Sequence, residues 1–95
     1  MYKIFYTKAA RDVIGHLDNK TKLRIKNAVE KIAENPSIGK HLAYDLSGRQ
    51  SYRVGDYRII YRTYEKDILI LILAVGHRRQ IYRDISRRLF QDCED

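Results

Sequence analysis

A chain of 95 residues is long enough for a single domain with a modest hydrophobic core. Apolar residues make up 44% of it and proline occurs once, which excludes a disordered segment. No apolar run reaches the length of a membrane span, so no membrane partner is expected. The net charge of +7 and a pI near 9.7 indicate a polyanionic partner instead.

The cysteine and the N-terminal residues indicate the cellular location, and the positions of the histidines indicate whether a metal site is present. Cys93 has no partner for an internal disulfide, and residues 1–12 lack the apolar stretch of a signal peptide, so we expect a cytoplasmic protein. His16, His41 and His77 are far apart in sequence, and no glycine-rich phosphate loop or serine nucleophile motif is present. We therefore expect no metal site and no cofactor.

The first half of the chain predicts a strand followed by a helical hairpin. Residues 2–7 alternate and are rich in β-forming types, and Thr7 is suited to cap a helix. Residues 8–17 and 20–34 each carry an amphipathic stripe, and Asn35-Pro36 ends the second helix. The predicted buried positions are Ala10, Val13, Ile14 and Leu17 in the first helix and Ile25, Ala28, Val29 and Ile32 in the second.

The other face of the second predicted helix is basic and allows two interpretations. Charges at such positions usually form a solvated surface. The alternative is a second contact surface for a nucleic-acid backbone. The residues concerned are Lys22, Arg24, Lys26 and Lys31.

The second half predicts a loop, three antiparallel strands and a last helix. The loop covers residues 37–48, with Leu42 and Leu46 as apolar anchors. Residues 68–75 are apolar on both faces, which favours a central strand covered on each side. Residues 80–90 carry a helical stripe, and an acidic end follows it.

We therefore predict one α+β domain over residues 1–95. A small antiparallel sheet, made of the N-terminal strand and a three-stranded meander, packs against the N-terminal helical hairpin. A short C-terminal helix completes the domain.

The first predicted hairpin fixes a register. Gly55-Asp56 suits a two-residue turn, because glycine supplies the positive φ that such turns need. This turn places Val54 opposite Tyr57 and Arg53 opposite Arg58. Like charges directly across a sheet are destabilising, so this pair indicates a function rather than a contribution to folding.

The second turn brings in a third arginine. If the chain turns about Lys66, Arg58 lies opposite Ala74, and Arg78 lies on the same face four residues further along. Arg53, Arg58 and Arg78 are then gathered at one end of one face. Three guanidinium groups need an anion between them, and phosphate is the obvious candidate.

This cluster suits RNA cleavage by the RNA's own 2′-hydroxyl group. The reaction needs a proton acceptor, a donor that stabilises the phosphorane dianion, and an acid for the leaving oxygen. Guanidinium groups suit the second task, whereas His77 would be the more natural acid or base. Tyr82 would stack on a base and hold the RNA in line. The alternatives are solvated arginines, a core-edge His77 and a Tyr82 packed on the sheet.

Two segments of this sequence, LSGRQSYRVGDYRIIYR and VGHRRQIY, resemble the RelE group of the RelE/ParE toxins. The resemblance extends over the whole chain. It implies a small, metal-independent endonuclease that cuts mRNA in the ribosomal A site. It also implies a cognate RelB-like antitoxin and a toxin–antitoxin hetero-oligomer.

The resemblance assigns roles residue by residue. Arg58 matches the phosphate-binding arginine, Arg78 the transition-state stabiliser or acid, and Tyr82 the tyrosine that stacks on an mRNA base. Arg53 matches one of two basic residues on the first hairpin strand, and Ser51 stands at the other position. His77 stands where some members have lysine and supplies a proton-transfer group. The predicted catalytic residues are therefore Arg53, Arg58, Arg78, Tyr82 and His77, and the predicted RNA-binding residues are Arg49, Ser51, Arg62, Arg79 and Arg83.

Two alternatives share this fold. A ParE-like toxin inhibits DNA gyrase and cleaves nothing itself, so it needs no catalytic cluster. A non-catalytic member binds only RNA or its antitoxin, and Ser51 in place of a basic residue keeps that alternative open. Arg58, Arg78 and Tyr82 together favour cleavage.

Overall fold

The computed structural model of this chain describes residues 1–42 and 48–81. The described residues form two α-helices and a five-stranded sheet. In chain order these are β1 (Lys3–Tyr6), α1 (Lys8–Gly15), α2 (Asn19–Glu34), a 3-10 turn (Pro36–Ile38), β2 (Lys40–His41), β3 (Gln50–Val54), β4 (Tyr57–Tyr64) and β5 (Leu69–His77). Neither described helix is long and apolar enough to cross a bilayer.

The sheet confirms the α+β class and corrects one part of its prediction. The strand order is β1-β5-β4-β3-β2, and β1 runs parallel to β5, so the sheet is mixed rather than antiparallel. The connection from β1 to β5 contains the helical hairpin and the strands β2, β3 and β4, so it is long enough for the crossover that parallel neighbours need. The apolar strand β5 is internal, as expected, although β4 occupies the centre.

Both helices begin at side-chain caps. The hydroxyl of Thr7 accepts a hydrogen bond from the Ala10 amide at 3.1 Å and donates to the Leu73 carbonyl at 2.7 Å. The predicted cap is thus confirmed, and it also ties the start of α1 to β5. Asp18 caps α2 in the same way, and its bonds from Thr21 lower the pKa of its carboxyl group.

The larger core lies between the helical hairpin and one face of the sheet, which we call the helix-side face. It buries all four predicted α2 positions together with Ala10. The β-strand residues that pack there are Ile59, Tyr61, Ile70, Ile72 and Val75. The opposite face, which we call the second face, carries a smaller cluster of Ile60, Leu73, Ala74 and Ile81.

The β4–β5 pair is displaced twice from the predicted register. Tyr64 pairs with Leu69, so the turn is centred between Lys66 and Asp67 instead of on Lys66. Each residue of β4 next to this turn therefore pairs with a β5 residue one position later than predicted. The register shifts again between Ile60 and Tyr61. Such a bulge inserts one extra residue into one strand and reverses the alternation of faces beyond it.

The two displacements cancel in their effect on faces. Leu73 and Ala74 are consecutive residues, yet both pack in the second-face cluster, which locates the bulge in β5. Arg58 consequently pairs with Gly76, and the predicted pairing with Ala74 is wrong by two residues. The observed pairing differs from the predicted pairing by an even number of residues. The segment that leads to Arg78 therefore lies on the predicted face of the sheet, the one that carries Arg58.

The segment predicted as a loop over residues 37–48 contains structure of its own. Its 3-10 turn and β2 are held by Tyr61, whose hydroxyl donates to the Pro36 carbonyl and accepts from the Gly39 amide at 3.0 Å. Burial raises the pKa of this hydroxyl group. Gln50 adds a bond to the Pro36 carbonyl at 2.8 Å. Leu42 packs near the second-face cluster, while Leu46 lies outside the described residues.

The predicted helix over residues 80–90 is described only at its start. Ile81 is 3% exposed and packs on the second face. Gly76 makes room for it, since a Cβ at that glycine would lie 2.7 Å from Ile81 Cδ1. The remainder of this helix and the acidic end lie outside the described residues.

Replacing Ile68 with asparagine is expected to raise the free energy of unfolding by about 1 kcal/mol. Ile68 has a backbone φ of 51°, a conformation in which a β-branched residue is strained, and its side chain is 55% exposed. Thermal unfolding of the purified protein measures the change. Ile68→Val keeps the strain and should unfold near the wild-type temperature; equal stability of all three proteins would contradict the argument.

Candidate functional site

The Arg53–Arg58 pair lies where the sequence predicts it. Arg53 pairs with Arg58 and Val54 with Tyr57 across the Gly55 turn, whose φ is 62°. Both arginines lie on the second face, because Ser51, two residues before Arg53, pairs with Ile60 of that face. The first hairpin register is therefore confirmed.

Different acceptors hold these two guanidinium groups. Arg58 Nη1 donates to Ser51 Oγ at 3.0 Å, and Ser51 is only 2% exposed. Arg53 Nε donates to the Gly55 carbonyl at 2.9 Å on the exposed turn. The half-buried Arg58 is thus oriented by β3, while Arg53 is turned toward the tip of the hairpin.

Arg78 joins the same end of the sheet through Asp56. Its amide donates to the Asp56 carbonyl at 2.8 Å, which ties the end of β5 to the β3–β4 turn. Its Nε lies 3.8 Å from Asp56 Oδ1, and the two side chains are 40% and 71% exposed. A long, exposed ion pair contributes little free energy, so Arg78 could exchange this carboxylate for a phosphate at little cost.

His77 lies on the other side of the strand end. Its ring contacts Tyr57 on the helix-side face, edge to face, with the centroids 6.1 Å apart. Neighbouring strand residues alternate between the two faces, so His77 lies on the face opposite Gly76, which pairs with Arg58. The structure therefore does not bring His77 to the face that carries Arg58.

The remaining predicted residues are spread around the site. Arg49 is half-buried just before β3, and its carbonyl accepts from the Leu42 amide at 3.0 Å. Arg62 lies over the Tyr64 ring at 5.0 Å, four residues along β4 from Arg58. Arg79 is exposed. Tyr82 and Arg83 lie outside the described residues.

Arg24 is a further basic residue near the site that the site prediction left out. It lies on α2, and its guanidinium is 3.4 Å from the position that a Cβ on Gly55 would take. A guanidinium thus lies beside the hairpin tip from the helix side. In the sequence, Arg24 was distinguished only by its place on the basic face of the second predicted helix. That face had two interpretations, a solvated surface or a contact surface for nucleic acid.

This arrangement can bind an anion at the end of the sheet. Arg53 and Arg58 come from one hairpin, and Arg78 is attached to its turn through Asp56. Guanidinium groups bind phosphate oxygens in pairs and stay charged at every accessible pH. The site therefore has the means to hold a phosphodiester and to stabilise added negative charge on it.

Comparisons with known proteins place the chain in a family. Residues 4–82 match the profile described as the ParE toxin of the type II toxin–antitoxin system parDE. Toxin RelG of Mycobacterium tuberculosis is 38% identical over 85 residues, which cover 83% of this chain and 92% of that toxin.

Solved structures agree with that assignment. The toxin–antitoxin complex RelBE2 from Mycobacterium tuberculosis aligns with a TM-score of 0.75 and 30% identity, over 81% of this chain and 98% of the matched chain. The isolated E. coli RelE toxin aligns with a TM-score of 0.71 and 16% identity, over 94% of this chain and 99% of that toxin. The second similarity shows the fold alone. By its sequence and its fold, the chain belongs to the ParE toxin family of type II toxin–antitoxin systems and is a toxin of the RelE/ParE superfamily.

Proposed function

We propose that this toxin is a ribosome-dependent endoribonuclease that cuts mRNA in the A site. The observation that carries the proposal is the placement of Arg53, Arg58 and Arg78 at one end of the sheet, with Arg58 oriented by a buried hydroxyl. Arginines paired across two strands repel each other and so oppose folding. Binding of an anionic ligand between them would offset this repulsion and explain why both are present. The net charge of +7 favours association with an RNA-rich particle.

The proposed chemistry uses the RNA's own 2′-hydroxyl as the nucleophile. Its oxygen attacks the adjacent phosphorus as its proton passes to water, and a phosphorane dianion forms. The bond from phosphorus to the 5′-oxygen of the next nucleotide then breaks, and that oxygen takes up a proton from water. Arg58 holds the phosphate, and Arg78 stabilises the charge that develops on it. Tyr82 stacks on a base and keeps the attacking and leaving oxygens in line. We leave His77 out of proton transfer, because its ring lies against Tyr57 on the helix-side face.

We also propose that a cognate antitoxin of the RelB type binds this chain. Two similar structures, RelBE2 of Mycobacterium tuberculosis and the archaeal RelE–RelB complex of Pyrococcus horikoshii, are complexes of toxin and antitoxin. The basic surface of this chain would attract an acidic partner. The inactive form would then be a hetero-oligomer in which the antitoxin keeps RNA from the arginine cluster.

Programmed ribosomes test the nuclease proposal. The purified toxin is incubated with ribosomes that carry a defined A-site codon, and the mRNA ends are mapped by primer extension beside naked mRNA. We expect a cut inside the A-site codon on ribosomes and none on naked mRNA. Intact mRNA on ribosomes from a matched source would overturn the proposal. Inhibition of gyrase supercoiling in that case would favour the alternative of a gyrase inhibitor.

Replacing Arg53 with alanine separates function from folding. We expect the free energy of unfolding to stay within about 0.5 kcal/mol of wild type, because a surface hydrogen bond is lost while repulsion with Arg58 is relieved. Cleavage should slow by roughly tenfold, the value of one charge-assisted hydrogen bond. Urea unfolding and the ribosome assay measure the two effects. Marked unfolding with unchanged cleavage would show that Arg53 serves the hairpin instead of the substrate.

A further inference from the structure

A shallow groove lies on the helix-side face, at the end of the sheet that carries the arginine cluster on its other face. It is a groove of about 570 Å³ between the last turns of α1 and the end of β5. Its size is within the range that small ligands occupy in proteins. The polar and aromatic residues that line it are Asp12, His16, Tyr57, His77 and Gln80.

The rings of this groove form a stacking surface. Tyr57 and His77 meet at an interplanar angle of 68°, and His77 is exposed while Tyr57 is anchored against the core. Flat aromatic surfaces at the edge of a basic site bind unpaired nucleobases by stacking. Neither ring has a role in the chemistry proposed above.

The hydrogen bonds at Nδ1 of His16 and His77 determine which ring nitrogen of each histidine is a donor and which is an acceptor. The Nε2 atoms of the two rings then provide one acceptor and one donor to the groove. His16 Nδ1 lies 2.7 Å from the Asp12 carbonyl, which only accepts, so Nδ1 carries the proton and Nε2 of the neutral ring is an acceptor. His77 Nδ1 accepts from the Arg79 amide at 3.3 Å, so its Nε2 is a donor. A nucleobase edge carries both donors and acceptors, so it offers a hydrogen-bond partner to each of these two groups.

The charge of Asp12 indicates that the groove binds a base and not a second phosphate. Its carboxylate would repel a phosphate held in the groove, whereas it accepts hydrogen bonds from the amino and imino groups of bases. The groove is also one residue away from the phosphate site, because Arg78 directly follows His77 in the chain. Both sites lie at the end of β5, so a strand that passes around this end meets the arginine cluster on one face of the sheet and the groove on the other.

We propose that this groove binds one nucleobase of the RNA strand whose neighbouring phosphate lies at Arg58 and Arg78. The inference rests on the proposed function for the identity of the strand as RNA. It adds a base-binding subsite on the face of the sheet opposite Arg58. The strand would cross the end of β5, with its backbone at the arginines and this base against His77.

Titration of the toxin with two RNA oligomers tests the subsite without requiring cleavage. One is a 2′-O-methyl hexaribonucleotide, which lacks the attacking hydroxyl. The other has the same backbone with abasic sugars at its two central positions. Nuclear magnetic resonance follows the imidazole signals of His16 and His77 and the backbone amide of Arg78. We expect the intact oligomer to shift all three and the abasic oligomer to shift only the Arg78 amide, with roughly tenfold weaker binding.

A matched pair of histidine variants sharpens the test. His16→Ala should weaken binding of the intact oligomer several-fold and leave binding of the abasic oligomer unchanged. His41→Ala removes an exposed histidine from β2, away from the groove, and should change neither. Backbone amide spectra of each free variant establish that it is folded.

The outcomes distinguish this proposal from the nuclease proposal. Equal binding of the two oligomers, with unmoved His16 and His77 signals, would overturn the base subsite and leave the phosphate site standing. Absence of binding by either oligomer would overturn both sites in the free protein. Base binding in the groove together with intact mRNA on ribosomes would overturn the nuclease and keep the subsite.

Discussion

Replacing Arg78 with alanine is expected to slow cleavage of ribosome-bound mRNA by about a hundred- to a thousand-fold, or about 3–4 kcal/mol of transition-state stabilisation. The side chain is 40% exposed, and its ion pair with Asp56 spans 3.8 Å, so little folding energy depends on it. The backbone bond from the Arg78 amide to the Asp56 carbonyl does not involve the side chain. Single-turnover cleavage rates measure the loss, and thermal unfolding should show no more than a small shift.

Lys66→Ala is the matched control for the loss of one positive charge. Lys66 is exposed in the β4–β5 turn, at the other end of the strands from Arg78. Its variant should cleave at the wild-type rate. Equal slowing of both variants would mean that long-range attraction to the ribosome, rather than a specific role of Arg78, causes the effect.

Replacing Arg58 with alanine is expected to reduce cleavage by a similar factor and also to affect stability. Arg58 Nη1 donates to Ser51 Oγ, and Ser51 is 2% exposed, so the variant leaves a buried hydroxyl without this partner. The expected cost is about 1–2 kcal/mol of unfolding free energy. Urea unfolding measures this cost, and single-turnover cleavage is compared at a temperature at which both proteins are fully folded.

Arg58→Lys separates charge from geometry. Lysine keeps the positive charge but lacks the planar fork that holds two phosphate oxygens, so cleavage should fall between the rates of wild type and Arg58→Ala. A lysine variant as fast as wild type would show that only charge matters at this position. An alanine variant as fast as wild type would remove Arg58 from the mechanism.

Local turn chemistry made one part of the site predictable from the sequence. Gly55-Asp56 permits few hairpin geometries, so the Arg53–Arg58 pairing followed from two residues alone. The cap at Thr7 and the buried stripe of α2 were predictable for the same reason, because both depend on residues within one or two turns of helix.

Features that depend on pairing between distant segments were not predictable in this way. The bulge at Leu73 and Ala74 carries no distinctive residue, yet together with the displaced turn it moves the pairing partner of Arg58 from the predicted Ala74 to Gly76. The parallel pairing of β1 with β5 joins the first described strand with the last one. The proximity of Arg24 to the Gly55 turn involves elements about 30 residues apart, and the position of Arg24 in the sequence matched a solvated surface equally well.

Ser51 stands where the family pattern has a basic residue, and its contacts in the structure give a physical reason for the serine. The resemblance placed a basic residue there, which suggested a weakened site. In the structure the serine hydroxyl is buried and accepts a hydrogen bond from Arg58. A neutral acceptor at this position orients the Arg58 guanidinium without adding a further like charge beside it. We infer that Ser51 is a positioning residue for Arg58.

The chemistry of the cut ends tests the central claim most directly. Fragments from ribosome-bound mRNA are isolated after incubation with the wild-type toxin, and mass spectrometry identifies their new termini. Attack by the 2′-hydroxyl predicts a 2′,3′-cyclic phosphate, or its 3′-phosphate hydrolysis product, on the upstream fragment and a 5′-hydroxyl on the downstream fragment. A 3′-hydroxyl and a 5′-phosphate at the cut would mean that water is the nucleophile, and would contradict the mechanism built on Arg58 and Arg78.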